Sequence, residues 1–181
     1  MQESDAKPIS QIFEFCPRCG QQGGTGENPF VCGKCQFTQY FSPVTAVGGI
    51  IQNADSEVLL LTRAKDPGRG KYGLPGGFVD AGETLEEALA REVLEETNLT
   101  VTRMSYLTSF PNDYAFKGVS FPVTDAFFVC DVDSMESIAC QESEIARFDF
   151  LRPTDRDLNH LAFESNRKAL HEYLSRSRHG N

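Results

Sequence analysis

The chain has no tryptophan, only three methionines and three histidines, and no apolar run of the roughly 18 residues that a membrane-spanning helix needs. Its opening stretch, MQESDAKPISQIFEF, lacks a basic region leading into an apolar one. That excludes the pattern of a secretory signal and leads to the expectation of a cytoplasmic protein. Positive charge is also scarce, with 17 Lys and Arg against 26 Asp and Glu, a net charge of −9 and a pI of about 4.8. Such a chain is a poor partner for nucleic-acid polymers or anionic membranes, so neither is expected. A small polyphosphate can still bind where cations bridge the like charges. There is no internal repeat, and His160, His171 and His179 share no ligand spacing, so no role is assigned to them.

What is present divides the chain. Its 181 residues, 40% of them hydrophobic, suit one main domain with a core plus a small appendage. We expect a flexible N-terminus over residues 1–11, an appendage over 12–43, the main domain over 44–176 and a flexible tail over 177–181.

The appendage carries Cys16-Pro17-Arg18-Cys19-Gly20 and Cys32-Gly33-Lys34-Cys35. Two Cys-x-x-Cys knuckles around a short polar loop have the spacing of a four-cysteine zinc ribbon. Thiolate ligation would explain how so short a segment folds with so small a core. A disulfide pair would need an oxidising compartment, and a thioredoxin-like motif should occur once and follow a strand. Lys7, Arg18 and Lys34 oppose Glu3, Asp5, Glu14 and Glu27 over residues 1–43, so the ribbon has no basic patch and reads as a structural brace. Cys130 and Cys140 read as ordinary buried or incidental thiols.

In the main domain, residues 45–52 and 57–63 are strand-like and joined by a hairpin turn at Asn53-Ala54-Asp55-Ser56. A loop rich in Lys, Arg and Gly covers residues 64–72. Residues 101–110, 121–131 and 146–151 are further strand candidates, 133–143 a polar loop, and 161–176 a helix with Leu161, Leu170, Tyr173 and Leu174 inward. Strands and two helices in this order suit an α/β/α sandwich around a mixed sheet.

The remaining stretch organises the rest. Leu74-Pro75-Gly76-Gly77 is a turn in which backbone can approach a ligand closely, so Gly76 and Gly77 are substrate-binding candidates. Thr84 with Glu87 reads as a capping box opening a helix over residues 85–97. Leu85, Leu89, Ala90, Val93 and Leu94 form one apolar arc, and Glu92, Glu95 and Glu96 share the arc beside it. Arg91 is expected to point away from those carboxylates, towards Glu87. Three carboxylates on one face repel each other. They read either as a solvated acidic face or as ligands of a hard divalent cation, and the glycine turn ahead of them favours the second reading.

Gly77, Glu83 and the run Arg91-Glu92-Val93-Leu94-Glu95-Glu96-Thr97-Asn98-Leu99 together resemble the Nudix box of the Nudix hydrolase family. The family usually has Gly at the position of Asn98, and Asn is the next-best residue for a left-handed helix end. The four-cysteine ribbon, Tyr40-Phe41-Ser42-Pro43 and Tyr106-Leu107-Thr108-Ser109-Phe110-Pro111 extend the likeness to the family's zinc-ribbon-bearing branch. That branch includes hydrolases of NADH, ADP-ribose and FAD. Its longer Ser-Gln-Pro-Trp-Pro-Phe-Pro motif is reduced here to Ser109-x-Pro111. The resemblance implies a Nudix α/β/α sandwich behind a zinc ribbon and a metal-dependent pyrophosphohydrolase that cleaves a nucleoside diphosphate linked to another group and releases AMP. It also implies Mg²⁺ or Mn²⁺ on Glu92, Glu95, Glu96 and the Gly77 carbonyl, and a pairing of Arg91 with Glu83. A late loop carboxylate would assist, with Glu144 the first candidate and Glu142 the second. Arg63 would contact phosphate, and Tyr72, Phe110 or Tyr114 could stack on a base or simply serve the core. Removal of a nucleotide cap from RNA and non-catalytic sensing of an ADP-ribose-type ligand are the alternatives, and a homodimer is left open.

Overall fold

A computed structural model describes residues 6–24, 26–141 and 143–179, without the side chains of residues 178 and 179. The chain forms two units, Met1–Val44 with Asp113–Val123, and Thr45–Asn112 with Thr124–Asn181.

The first unit contains strand β1 (Lys7–Pro8), helix α1 (Ile9–Ile12) and the strands β2 (Phe30–Val31) and β3 (Thr38–Gln39). β2 and β3 pair antiparallel, Phe30 opposite Gln39. The two knuckles fold alike. Gly20 N–H donates to the Cys16 carbonyl and Gln36 N–H to the Cys32 carbonyl, both at 2.9 Å. Gly20 and Gln36 both take positive φ, +71° and +58°, so the second knuckle's left-handed position is Gln36 rather than the adjacent Gly33. A small core of Cys16, Phe30 and Cys32 is closed by Phe13, Phe37 and Phe41. β1 pairs parallel with residues 119–120, and β1 and α1 fall largely within the stretch 1–11 expected to be flexible.

The second unit holds β4 (Val44–Ile51), β5 (Val58–Arg63), β6 (Tyr72–Gly73), helix α2 (Leu85–Thr97), β7 (Val101–Phe116), β8 (Val119–Val132), β9 (Ile145–Leu151), α3 (Asp155–Asn159) and α4 (Glu164–His179), although β4, β7 and β8 each run into the first. β8 pairs with β7, β4 and β1, and β5 lies between β6 and β9 in an antiparallel sheet. Alternation along the strands builds the sandwich. Leu59 and Leu61 of β5 and Ala126, Phe128 and Cys130 of β8 pack with Ala88, Leu89 and Val93 of α2. Val58 and Leu60 of β5 and Phe127 of β8 face Leu158 of α3 and Ala169 and Leu170 of α4. Helix α2 therefore covers one face of the strand layer and α3 with α4 the other, a sandwich of the kind the sequence implied.

Several boundaries differ from expectation. β7 continues through Pro111 to Phe116, and Lys117 and Gly118, at φ +49° and +83°, close a long hairpin of the two-residue type that needs φ > 0 twice. The expected helix over residues 161–176 is α4, which begins at Glu164, and a short helix that was not expected, α3, precedes it. α3 opens where the Asp157 carboxylate accepts from the Thr154 N–H at 2.8 Å and the Thr154 hydroxyl at 2.6 Å. α4 runs from Glu164 to His179, three residues into the segment expected as a tail. Among the described residues no helix is long and apolar enough to cross a membrane.

Candidate active site and cysteine cluster

Helix α2 begins with both halves of the capping box: Glu87 N–H donates to Thr84 Oγ1, and Thr84 N–H to Glu87 Oε2. It ends at Asn98, whose φ of +57° is left-handed and whose N–H donates to the Leu94 carbonyl. The Asn98 side chain also donates to the Ser137 carbonyl at 3.0 Å, which ties the loop over residues 133–144 to the helix end. Glycine could not make that tie. Ala139 N–H and Gln141 N–H reinforce it on the carbonyls of Thr97 and Glu96.

The helix is rotated relative to the apolar arc read from sequence. Its buried residues are Ala88, Leu89, Val93, Glu96 and Thr97, while Leu94, expected inward, is 49% exposed. The rotation carries part of the acidic arc into the protein. Glu96 is 7% exposed, Glu92 is half-buried and Glu95 stands in solvent. Burial pushes the Glu96 carboxyl up to about 8, and the nearby charges of Glu92 and Glu144 add to the shift. Burial also raises Glu92, chiefly against the pull of Arg91.

Arg91 corrects a second expectation. It does not turn away from the acidic arc. Its guanidinium takes Glu83 through two bonds of 2.7 and 2.9 Å, Glu92 at 2.8 Å, Glu95 at 3.5 Å and the Phe78 carbonyl at 3.1 Å. A planar guanidinium with five donors can serve several acceptors at once. Arg91 thus pins the loop at residues 78–83 to the helix, and it holds Glu83 down to about 2. It is itself raised by these carboxylates.

The glycine turn is fixed at every residue. Leu74 N–H donates to Asn166 Oδ1 at 3.1 Å, and the Pro75 and Gly77 carbonyls accept from Gly49 and Val47 N–H at 2.8 and 2.9 Å. Gly76 N–H, at φ +144°, donates to Glu96 Oε2 at 2.9 Å. The Gly77 carbonyl keeps one lone pair for a further partner.

Glu144 belongs with this group, because its charge acts on both Glu92 and Glu96, and Lys65 pairs with it at 2.6 Å. Arg63, at the end of β5, is close enough to Glu96 to act on its ionisation. Its Nε donates to the Pro67 carbonyl and its guanidinium lies over the Phe163 ring. Glu142 lies outside the described residues. Tyr72 stands edge-on to His160 and is packed against the core on the α4 side. Phe110 lines a cavity of about 610 Å³ along α4, with Arg167, Lys168, His171 and Arg176, rather than joining the carboxylates. Tyr114 lies in the first unit, tilted against Phe116. Sequence reading passed over Lys65 and Asn166. A cationic loop hinted at the first, and nothing local marks the second, which meets Leu74 across 92 positions.

Hard carboxylate oxygens, one of them buried beside like charges, are the donor set that Mg²⁺ or Mn²⁺ takes. The cysteines offer a different set. All four are free thiols and their sulfurs lie within 4.8 Å of one another. The separations Cys16–Cys35 and Cys19–Cys32 are 3.6 and 3.7 Å, far beyond a disulfide. They are near the roughly 3.8 Å edge of a tetrahedron with 2.3 Å Zn–S bonds. N–H donation from Cys35 and Lys34 lowers Cys32 to about 6. In Cys35 the Phe37 N–H favours the thiolate, but burial and the neighbouring sulfurs outweigh it and push the group up to about 11. A four-cysteine cluster of this geometry fits a zinc ribbon.

The central contact of this site is the Gly76 N–H on the buried Glu96 carboxylate of α2. Residues 42–173 match the NUDIX domain, and the chain belongs to that family. It is similar to an ADP-ribose pyrophosphatase of Methanocaldococcus jannaschii, 36% identical over 77% of this chain and 78% of that one. It is also similar to the NAD-capped RNA hydrolase NudC of Vibrio vulnificus, 34% identical over 57% of this chain but only 40% of that longer relative. A NUDIX hydrolase structure from Nitrosomonas europaea aligns with 93% of this chain and 94% of its own, at 27% identity and a TM-score of 0.57.

Proposed function

We propose that the protein hydrolyses a nucleoside diphosphate linked to a second group, of the ADP-ribose, NADH and FAD class, and releases AMP. The observation that carries this reading is Glu96. A buried carboxylate held by one backbone N–H, beside Glu92 and Glu144, is unfavourable on its own and calls for a cation. Glu92, Glu95, Glu96, Glu144 and the Gly77 carbonyl would hold Mg²⁺ or Mn²⁺. Such a cation neutralises the diphosphate and strengthens water as a nucleophile. Water oxygen bonds to phosphorus, the anhydride P–O bond breaks, and the proton passes to a carboxylate of the cluster. Glu92 would be the carboxylate that accepts it. Gly76 N–H fixes the Glu96 oxygen, Arg91 and Glu83 hold Glu92 and the loop, and Arg63 adds positive charge near the phosphates. Zn²⁺ on Cys16, Cys19, Cys32 and Cys35 would brace the ribbon and take no part in the chemistry.

The 36% identity to a protein named ADP-ribose pyrophosphatase, over most of both chains, supports the metabolite reading. Cap removal from RNA uses the same bond chemistry, and the net charge of −9 argues against it. A non-catalytic sensor has no need of the full carboxylate set. Product analysis by chromatography over ADP-ribose, NADH, FAD, diadenosine polyphosphates, nucleoside triphosphates and a capped oligonucleotide, with Mg²⁺ and Mn²⁺, tests the proposal. AMP from the first three is expected. Cleavage of triphosphates alone would overturn it.

A further inference from the structure

The loop between β5 and β6 gathers positive charge on a strongly acidic chain. Residues 63–71 contain Arg63, Lys65, Arg69 and Lys71 against a single acid, Asp66. The loop leaves β5 where the pairing with β9 shifts register between Thr62 and Arg63, and such irregularities re-aim the side chains beside them. Ala64 N–H donates to the Glu144 carbonyl at 2.8 Å, and Lys65 Nζ reaches Glu144 Oε1 at 2.6 Å.

Two cations at the start of this loop are held differently. Arg63 is occupied by the Pro67 carbonyl and the Phe163 ring. The Lys65 side chain is 55% exposed, on a four-carbon stem that can swing, and an exposed Lys–Glu pair is weak. Its partner Glu144 meets Lys65 from a turn tied to α2: Glu144 N–H donates to the Gln141 carbonyl at 2.9 Å, and Gln141 N–H to the Glu96 carbonyl at 3.2 Å. A divalent cation that takes the Glu144 carboxylate therefore displaces the ammonium and repels it. A displaced ammonium at that place is matched by the phosphate of an incoming substrate.

We propose that Lys65 is a phosphate-binding residue of the substrate site, held on Glu144 until a divalent metal takes that carboxylate. The inference rests on the pyrophosphohydrolase reading above. It makes metal binding the step that readies the phosphate contact.

Lys65→Met removes the charge and keeps most of the stem, and Lys65→Arg keeps the charge. In a Mn²⁺ titration without nucleotide, followed by electron paramagnetic resonance, Lys65→Met should bind Mn²⁺ at least about threefold more tightly, because a competing cation is gone. At saturating Mn²⁺ its KM for ADP-ribose should rise at least about tenfold, the scale of a lost charged hydrogen bond, with kcat within about threefold. Lys65→Arg should restore KM. Unchanged or weaker Mn²⁺ binding, or an unchanged KM, overturns the proposal. If the wild-type protein cleaves no nucleotide, the function reading fails. The Mn²⁺ titration needs no substrate and still decides whether Lys65 competes for Glu144.

Discussion

Gly76 and Gly77 are neighbours in sequence, yet a methyl group added to one should destabilise the protein and added to the other should silence it. At Gly76 a Cβ would overlap the Val47 carbonyl oxygen and come within 2.9 Å of Gly48 Cα. Both are backbone atoms of β4 and cannot move aside without distorting the strand. The φ of +144° adds strain of about 1–3 kcal/mol for any residue with a side chain, and overpacking adds about 1–3 kcal/mol more. At roughly 2–4 °C per kcal/mol for a chain of this size, a total of about 2–6 kcal/mol should lower the Tm of Gly76→Ala by roughly 4–24 °C.

At Gly77 the neighbours of an added Cβ are Glu92 Oε1 at 2.5 Å and Glu92 Cδ at 2.6 Å, the far end of a flexible side chain. The carboxylate can retreat by about 1 Å, which loosens its contact with Arg91 but leaves the backbone intact. Loss of that partly exposed ion pair is worth about 1 kcal/mol or less, and the stiffer unfolded chain offsets about half of it or more. Tm should therefore move by only a few degrees. A 1 Å displacement at a reacting centre is worth on the order of 10²-fold in rate, so Gly77→Ala should lower kcat by that factor. Thermal unfolding and steady-state kinetics at saturating Mg²⁺ on both variants decide it. Equal losses of Tm would refute the packing argument, and a Gly77→Ala enzyme with kcat within about threefold of wild type would refute the role given to Glu92.

Three further outcomes follow from the same geometry. Glu96→Gln should lower kcat at least about 10²-fold with little change in the Tm of the metal-free protein, since burial already favours the uncharged form of this side chain; near-normal turnover at saturating Mg²⁺ would contradict the metal-site reading. Elemental analysis should find one zinc per chain, and Cys19→Ser should lower both zinc content and Tm; if neither changes, the ribbon holds no metal. Because Arg91 depresses Glu83 from 4.5 to about 2, its stabilisation is complete above about pH 4.5 and is lost as pH falls towards 2. The stability difference between wild type and Glu83→Gln in urea unfolding should shrink across that window, and a pH-independent difference would count against the pairing.

The parts of this site that sequence made legible are those set by neighbours along the chain. The capping box at Thr84, the left-handed Asn98, the turn at Asn53 and the two knuckles depend on contacts a few residues away, and all are present. The phase of α2 was not legible. Hydropathy ranks Leu94 above Ala88 and Thr97, but the inward face is set by what the helix packs on and by Arg91 anchoring it to residues 78–83. The reach of Arg91 was misjudged because wheel positions describe Cβ directions, and a guanidinium extends well past them. Lys65 with Glu144, 79 positions apart, and Asn166 with Leu74 are created by the fold alone. β7 runs on through Pro111-Asn112-Asp113, whose composition is that of a loop, because the hairpin pairing with β8 overrides local preference.

The inward phase of α2 also carries the one group that conflicts with the rest of the helix. Around α2 nearly every local preference agrees with the fold: a double cap at the start, a left-handed asparagine at the end, aliphatic residues against the sheet, an arginine saturated with acceptors. Glu96 breaks the pattern. It occupies a buried position that an apolar residue would fill more favourably, and its charge is opposed by Glu92 and Glu144. The Gly76 N–H and the distant Arg63 only partly compensate. A sequence under selection for stability alone would replace it. The surrounding structure instead holds it in one orientation, through a turn that only glycine can form. Where a chain is consistent at every level except one buried group, that group marks function, and on the proposed reading Glu96 would be a ligand of the divalent cation.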